Sequence, residues 1–144
     1  MCIRDRICSL NPNEDRLTLS VRIDFDKNGE VLSHKISEAI INSDHRLNYP
    51  QVSDFLEGKK KAEELGLEGL EETLKNMQEL MNILNEKRNK RGNIDFDIVE
   101  TKVVLDEKGK VIDIKPEESR VANKIIEEFM IAANEDVYKR QLYQ

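Results

Sequence analysis

Two pairs of carboxylates stand two residues apart, Asp24 with Asp26 and Asp95 with Asp97, and Glu127 and Glu128 are adjacent. Closely spaced carboxylates suit hard divalent cations, which take oxygen ligands; two such ions about 3.5–4 Å apart activate water and stabilise a departing oxygen. The local composition argues against that use at both pairs. Asp24 and Asp26 flank Lys27-Asn28-Gly29-Glu30, which is turn chemistry. Asp95 and Asp97 flank Phe96 as ordinary polar strand positions, so no metal ligand is assigned to the chain. His34 falls in a strand with no carboxylate or nucleophile identifiable beside it, which favours a structural role. Cys2 and Cys8 form neither a metal spacing nor a disulfide framework and read as reduced thiols. Lys59-Lys60-Lys61 and Lys87, Arg88, Lys90 and Arg91 are basic clusters at helix ends. Such clusters either complement the helix dipole or meet phosphates, and charge alone does not choose between these.

The elements that must position these residues are legible from periodicity. Leu17, Leu19, Val21, Ile23 and Phe25 alternate with polar residues and predict a half-buried strand. The turn at residues 26–30 and a second strand from Val31 to Ile41 complete a hairpin. Tyr49 to Leu56 predicts a short helix, with Pro50 in its first turn and Gly58 at its end. Leu70, Leu74, Met77, Leu80, Met81 and Leu84 recur at spacings that predict a long amphipathic helix over about 67–90, ending at Gly92, with its Met and Leu stripe in the core. Ile94 to Leu105 and Val111 to Ile114 predict a second hairpin around Asp106-Glu107-Lys108-Gly109-Lys110, with a bulge between Ile98 and Val99 where apolar parity changes. Pro116-Glu117-Glu118-Ser119 is read as opening a last helix with acids in its first turn and an apolar face of Val121, Ile125, Phe129 and Ala132. The order implies an α+β fold: two antiparallel β-hairpins packed with one short and two longer helices.

A chain of 144 residues suits one domain with one core. Charged residues make up 36% and hydrophobics 38%, with no Trp, so a modest aliphatic core must lie under a heavily solvated surface. No run approaches the roughly 18 apolar residues of a membrane span, no leader pattern is present, and a cytoplasmic location follows as the default expectation. The net charge of −6 counts against a uniformly basic nucleic-acid surface but not against a local one.

Four strings, in this order, carry a family resemblance: Ser9-Leu10-Asn11-Pro12-Asn13-Glu14-Asp15-Arg16-Leu17; Arg46-Leu47-Asn48-Tyr49 with Val52 and Leu56; Arg91-Gly92-Asn93-Ile94-Asp95-Phe96; and Ala122-Asn123-Lys124-Ile125-Ile126-Glu127-Glu128-Phe129-Met130-Ile131-Ala132-Ala133-Asn134. Together they resemble the interior of the RNB catalytic domain of ribonuclease II/R-type exoribonucleases, ribonuclease R in particular. The resemblance implies a partial RNB fold and metal-assisted hydrolysis of single-stranded RNA from its 3′ end to nucleoside 5′-monophosphates. The implied cofactor is Mg2+, whose aspartate ligands lie upstream of the matched region; nothing in residues 1 to 8 stands in for them, and the isolated chain is expected to be inactive. It implies RNA as partner with no preference for DNA, no membrane, and an intact monomeric enzyme with flanking OB-fold domains.

Three positions carry over. Tyr49 matches a tyrosine near the terminal nucleotides that influences discrimination of RNA from DNA; a phenol there stacks on a sugar or base and offers its hydroxyl to the 2′-OH. On pattern alone it would pack at a helix start. Phe96 matches a phenylalanine that stacks on a base near the 3′ end, a sequence-tolerant contact; on pattern alone it is a core strand residue. Glu127 matches the first glutamate of a pair that contacts the sugar edge at the catalytic end, where pattern alone gives a solvated surface acid. Glu128 is the weaker candidate. His45 and Pro50 depart from the family pattern without disturbing these three.

The two ends fit the resemblance least. Met1-Cys2-Ile3-Arg4-Asp5-Arg6 and Val137-Tyr138-Lys139-Arg140-Gln141 resemble translated sequencing-adapter sequence. Residues 1–7 and 136–144 are therefore expected to be non-native, with 8–135 a partial RNB domain. A catalytically inactive RNB relative that binds RNA without cutting it is the alternative; a small autonomous interaction domain is a third. The fragment reading expects exposed hairpin edges.

Overall fold

The structure, a computed structural model, describes residues 8–93, 100–106, 109–117 and 119–142. Strand β1 (Asp15–Phe25) pairs antiparallel with β2 (Val31–Asn42), with Leu17 opposite Ile40 and Val21 opposite Ile36. Helices α1 (Tyr49–Leu56), α2 (Ala62–Leu65) and α3 (Glu71–Lys90) follow. Strands β3 (Glu100–Leu105) and β4 (Val111–Glu117) form a second antiparallel pair, and α4 (Val121–Leu142) closes the described chain. This is the expected α+β arrangement of two hairpins with helices, enlarged by α2.

The core lies among the helices. Val52 of α1, Ala62 of α2, Leu67, Leu74 of α3 and Ala122 of α4 are buried together, with Phe55, Leu56, Leu65, Leu70 and Met77 packed around them. Met81, Leu84 and Ile125 extend the buried side of the α3–α4 contact. Asn48 caps α1 by accepting the Gln51 N–H at 3.0 Å, as Asn does when its short side chain replaces a missing carbonyl.

The long helix begins at Glu71, not near 67. Gly66 and Gly69 both take left-handed backbone, with φ of 67° and 79°, and so end α2 and turn the chain before α3 can start. Leu67 lies between them and is fully buried, held by the core although it is outside any helix.

The last helix also starts later than the sequence implies. Pro116 belongs to β4, opposite Thr101, and α4 has no acid in its first turn. A proline lacks the N–H of a ladder bond and is tolerated in a two-stranded sheet, where each strand is an edge. The first turn of α4 is capped from another helix: the Ala122 N–H donates to the buried Ser53 Oγ of α1 at 3.2 Å.

Beside that cap, the Arg120 guanidinium donates to Asp54 Oδ1 at 2.6 Å and to Glu57 Oε2 at 2.8 Å. Hydrogen bonds from Arg120 and then Lys59 hold the Glu57 carboxyl down to about 2 from an ordinary 4.5, and Arg120 also lowers Asp54. Carboxylates depressed by folding add stability above their unfolded values and lose it as pH falls through the folded ones. Thermal melts of the chain should therefore show an Arg120→Met defect that is largest above about pH 5 and shrinks as pH falls toward 2, where Glu57 begins to protonate in the folded state as well. A defect of constant size across that range would mean that the clamp acts by packing alone.

The predicted half-burial of β1 holds only toward the turn. Val21, Ile23 and Phe25 are half-buried, whereas Leu17 and Leu19 are 84% and 76% exposed. Only the turn end of the hairpin reaches the helices. On the second hairpin, Val103, Val111, Ile112 and Ile114 are likewise exposed. The expected bulge between Ile98 and Val99 lies outside the described residues; the register shifts that are seen adjoin the turns, at Asp24/Phe25 and Val104/Leu105.

Candidate nucleic-acid contact site

Tyr49 opens α1 and is half-exposed, placed there by the Asn48 cap and by Pro50. Glu127 projects from α4, 53% exposed, and α1 touches α4 through the Ser53–Ala122 bond. The two side chains thus sit on contacting helices, with no hydrogen bond between them. Phe96, with Asp95 and Asp97, lies outside the described residues.

Glu128 differs sharply from its neighbour. Its side chain is 4% exposed and accepts from Arg88 Nη2 of α3 at 2.6 Å and from Asn85 Nδ2 at 3.1 Å. Asn85 Oδ1 in turn accepts from Asn89 at 2.8 Å. The same Arg88 Nη2 lies 3.7 Å from Glu127 Oε1. One guanidinium therefore faces both members of the glutamate pair, one buried and one open to solvent.

The rest of the basic cluster is matched internally. Lys87 donates to the Gly29 carbonyl at 2.8 Å and pairs with Glu30; Lys90 pairs with Glu86 and Arg91 with Glu135. Each cation near the end of α3 already has a carboxylate, which favours the structural side of the alternative left open by the sequence. The carboxylates are equally committed. Asp26 accepts the N–H groups of Asn28 and Glu30 at 2.8 Å each, and Asp24 accepts from Ser33 and Arg22. Those bonds, led by Glu30 at Asp26 and Ser33 at Asp24, hold both carboxyls below their ordinary value. Both therefore perform turn and strand-edge work. Among the described residues no three or more His, Cys, Asp or Glu side chains are grouped to hold a metal ion, and none of their helices is long and apolar enough to cross a membrane.

His34 does have a carboxylate partner. Its Nδ1 lies 3.2 Å from Oδ1 of the buried Asp136, on a helix that runs unbroken to Leu142. A pairing between residues so far apart in the chain leaves no local sequence signal. The Asn85–Arg88 pair did leave one, since residues three apart on a helix share a face; the polar face they form points at Glu128.

The RNB domain family profile matches residues 2–141. The chain belongs to the RNB domain family. Ribonuclease R of Thermotoga maritima is 44% identical over 132 residues, covering 91% of this chain and 18% of that protein. Ribonuclease R of Ureaplasma parvum is 42% identical over 135 residues, covering 94% and 19%. Mycoplasma genitalium RNase R in complex with ribose methylated single-stranded RNA superposes with a TM-score of 0.83 at 33% identity, over 94% of this chain and 21% of that one. Its complex with double-stranded RNA gives 0.82. This RNB chain thus spans about a fifth of the length of the relatives it matches, and its two hairpins and helices are a partial RNB fold.

Proposed function

We propose that this chain is the RNA-channel segment of a 3′-to-5′ exoribonuclease that hydrolyses single-stranded RNA to nucleoside 5′-monophosphates. The observation that carries the reading is the match of 94% of the chain to an RNA-bound ribonuclease R at a TM-score of 0.83. In this reading Tyr49 and Phe96 bind the terminal nucleotides, by stacking and through the 2′-OH, and Glu127 accepts hydrogen bonds from the sugar edge. The half-exposed phenol and carboxylate on contacting helices support two of those roles.

Hydrolysis would draw on Mg2+, which supplies an activated water and a counter-charge to the departing oxygen. The carboxylates described above do not fit that ion, being tied to Arg88, Asn85 or hairpin turns. No step of bond cleavage is therefore assigned to this chain, and its ligands are proposed to come from flanking sequence. A monomeric enzyme with flanking OB-fold domains rests on the family resemblance, with residues 8–135 as the native segment, and a cytoplasmic location is the default expectation of the sequence. A free, exposed Cys8 is compatible with a reducing compartment.

The test is a chimaera in which residues 8–135 replace the matched segment of Thermotoga maritima ribonuclease R. It should release nucleoside 5′-monophosphates from single-stranded RNA, and Phe96→Ala should weaken binding of single strands about 5–150-fold, the range for one lost stacked base. A chimaera that binds RNA but does not cut it would favour an inactive RNA-binding relative. Unchanged affinity in Phe96→Ala would remove that residue from the channel.

A further inference from the structure

We propose that Arg88 is a positioning residue that sets the sugar-contacting edge of α4 by holding Glu128 and facing Glu127 with one guanidinium. The proposal rests on the reading of Glu127 as a contact to the terminal nucleotides. Successive residues on an α-helix point about 100° apart, so one terminal nitrogen faces two neighbouring carboxylates only when the ridge between them is turned toward it. Arg88 Nη2 does so, at 2.6 Å from Glu128 and 3.7 Å from Glu127. The rotation of α4 about its axis is thereby fixed at the turn that presents Glu127.

Two further observations make this more than a surface ion pair. The Arg88 side chain is 16% exposed and Glu128 is 4% exposed, so water competes little for either. Asn85, itself held by Asn89, donates to the same Glu128 oxygen, and Arg88 Nε is buried with no hydrogen-bond partner among the described residues. The guanidinium therefore grips through its terminal Nη2, on the side of the two glutamates. There is also an electrostatic consequence. An uncompensated carboxylate close to an RNA backbone repels phosphates, whereas the Arg88 charge next to Glu127 offsets that repulsion and leaves an oxygen free to accept from a hydroxyl.

The experiment uses the chimeric enzyme with Glu127→Ala, Arg88→Met and the double variant Arg88→Met/Glu128→Leu. Steady-state kinetics are compared on an RNA and on the same RNA ending in 2′-deoxynucleotides. Arg88→Met should lower kcat about 10²-fold, the scale of a misplaced contact, with KM changed by less than about threefold and with the preference for the ribose-ended strand reduced. Exchanging the buried pair for apolar side chains restores packing without restoring the cation. The double variant should therefore fold, as read by amide exchange in α4, and still show the Arg88→Met defect. Recovery of kcat and sugar preference in the double variant would overturn the proposal, leaving Arg88 a purely structural residue. A crippled Glu127→Ala beside an unaffected Arg88→Met would also overturn it while sparing the Glu127 contact. A silent Glu127→Ala would sink the contact itself, and the proposal with it.

Discussion

Glu128→Ala is expected to destabilise α4 by about 3–5 kcal/mol, because it strands the Arg88 guanidinium in a site from which water is largely excluded. An exposed ion pair is worth about 0–1 kcal/mol, since solvent replaces either partner. Here Glu128 is 3% exposed as a residue and accepts from both Arg88 and Asn85, so its removal also leaves the Asn85 amide without its acceptor. Glu128→Gln keeps an acceptor oxygen of the same reach and gives up only the charge, so its cost should be nearer about 1.5–3 kcal/mol, the range for hydrogen bonds to charged groups. Native-state amide exchange of α4 in the chimaera reads both values as local opening free energies. A Glu128→Ala cost below about 1 kcal/mol would show that the pair is solvated, and Arg88 would then lose its hold on the rotation of the helix.

Residue type and spacing alone do not single out the candidate contacts. Tyr49 and Glu127 could be picked out by string resemblance, and the structure leaves both accessible. The sequence makes Glu128 the weaker candidate and hides its burial against α3, because an apolar periodicity of Val121, Ile125 and Phe129 does not reveal that a charged residue one step away shares the buried side. Ile125 and Glu128 in fact lie on that side together. A charge is placed there only because Arg88 arrives from a different helix, and such pairings between elements are not written in local spacing. The same limit hid the His34–Asp136 pair.

The fold shows the same division. Strand alternation, the Asn48-Tyr49-Pro50 helix start and the Leu/Met stripe of α3 are local patterns, and they gave the order of elements apart from the short α2. The missed boundaries arose where backbone chemistry overrode periodicity. Leu67 and Leu70 continue the stripe of α3, yet the left-handed Gly66 and Gly69 place Leu67 in a turn. The acids at 117 and 118 look like a helix start, yet β4 runs on to Glu117.

Gly29→Val should loosen the first hairpin from α3 by about 1–3 kcal/mol more than Gly109→Val loosens the second, that margin being the usual cost of overpacking. The two turns are near-copies. The Gly29 N–H donates to Asp26 O at 3.1 Å and that of Gly109 to Asp106 O at 3.0 Å, while Asp26 and Asp106 each bond the residue after the glycine through Oδ1 at 2.8 Å. Both glycines are left-handed, with φ of 76° and 78°, so any side chain pays about 1–2 kcal/mol at either place. Their surroundings differ. A Cβ on Gly29 would lie 3.0 Å from Ile83 Cγ2 and 3.6 Å from Leu84 and Lys87, whereas one on Gly109 meets nothing within 4 Å among the described residues. Comparing the two substitutions cancels the backbone cost and leaves the contact of hairpin with helix. Amide exchange in β1, β2 and the last turns of α3 is the measurement, and Gly29→Val should also weaken the Lys87 bond to the Gly29 carbonyl. Equal losses at the two glycines would mean that the hairpin is not seated on α3 at all. The Lys87 and His34 contacts would then be incidental, and α3 would have to be fixed by α1 and α4 alone before Arg88 could orient anything.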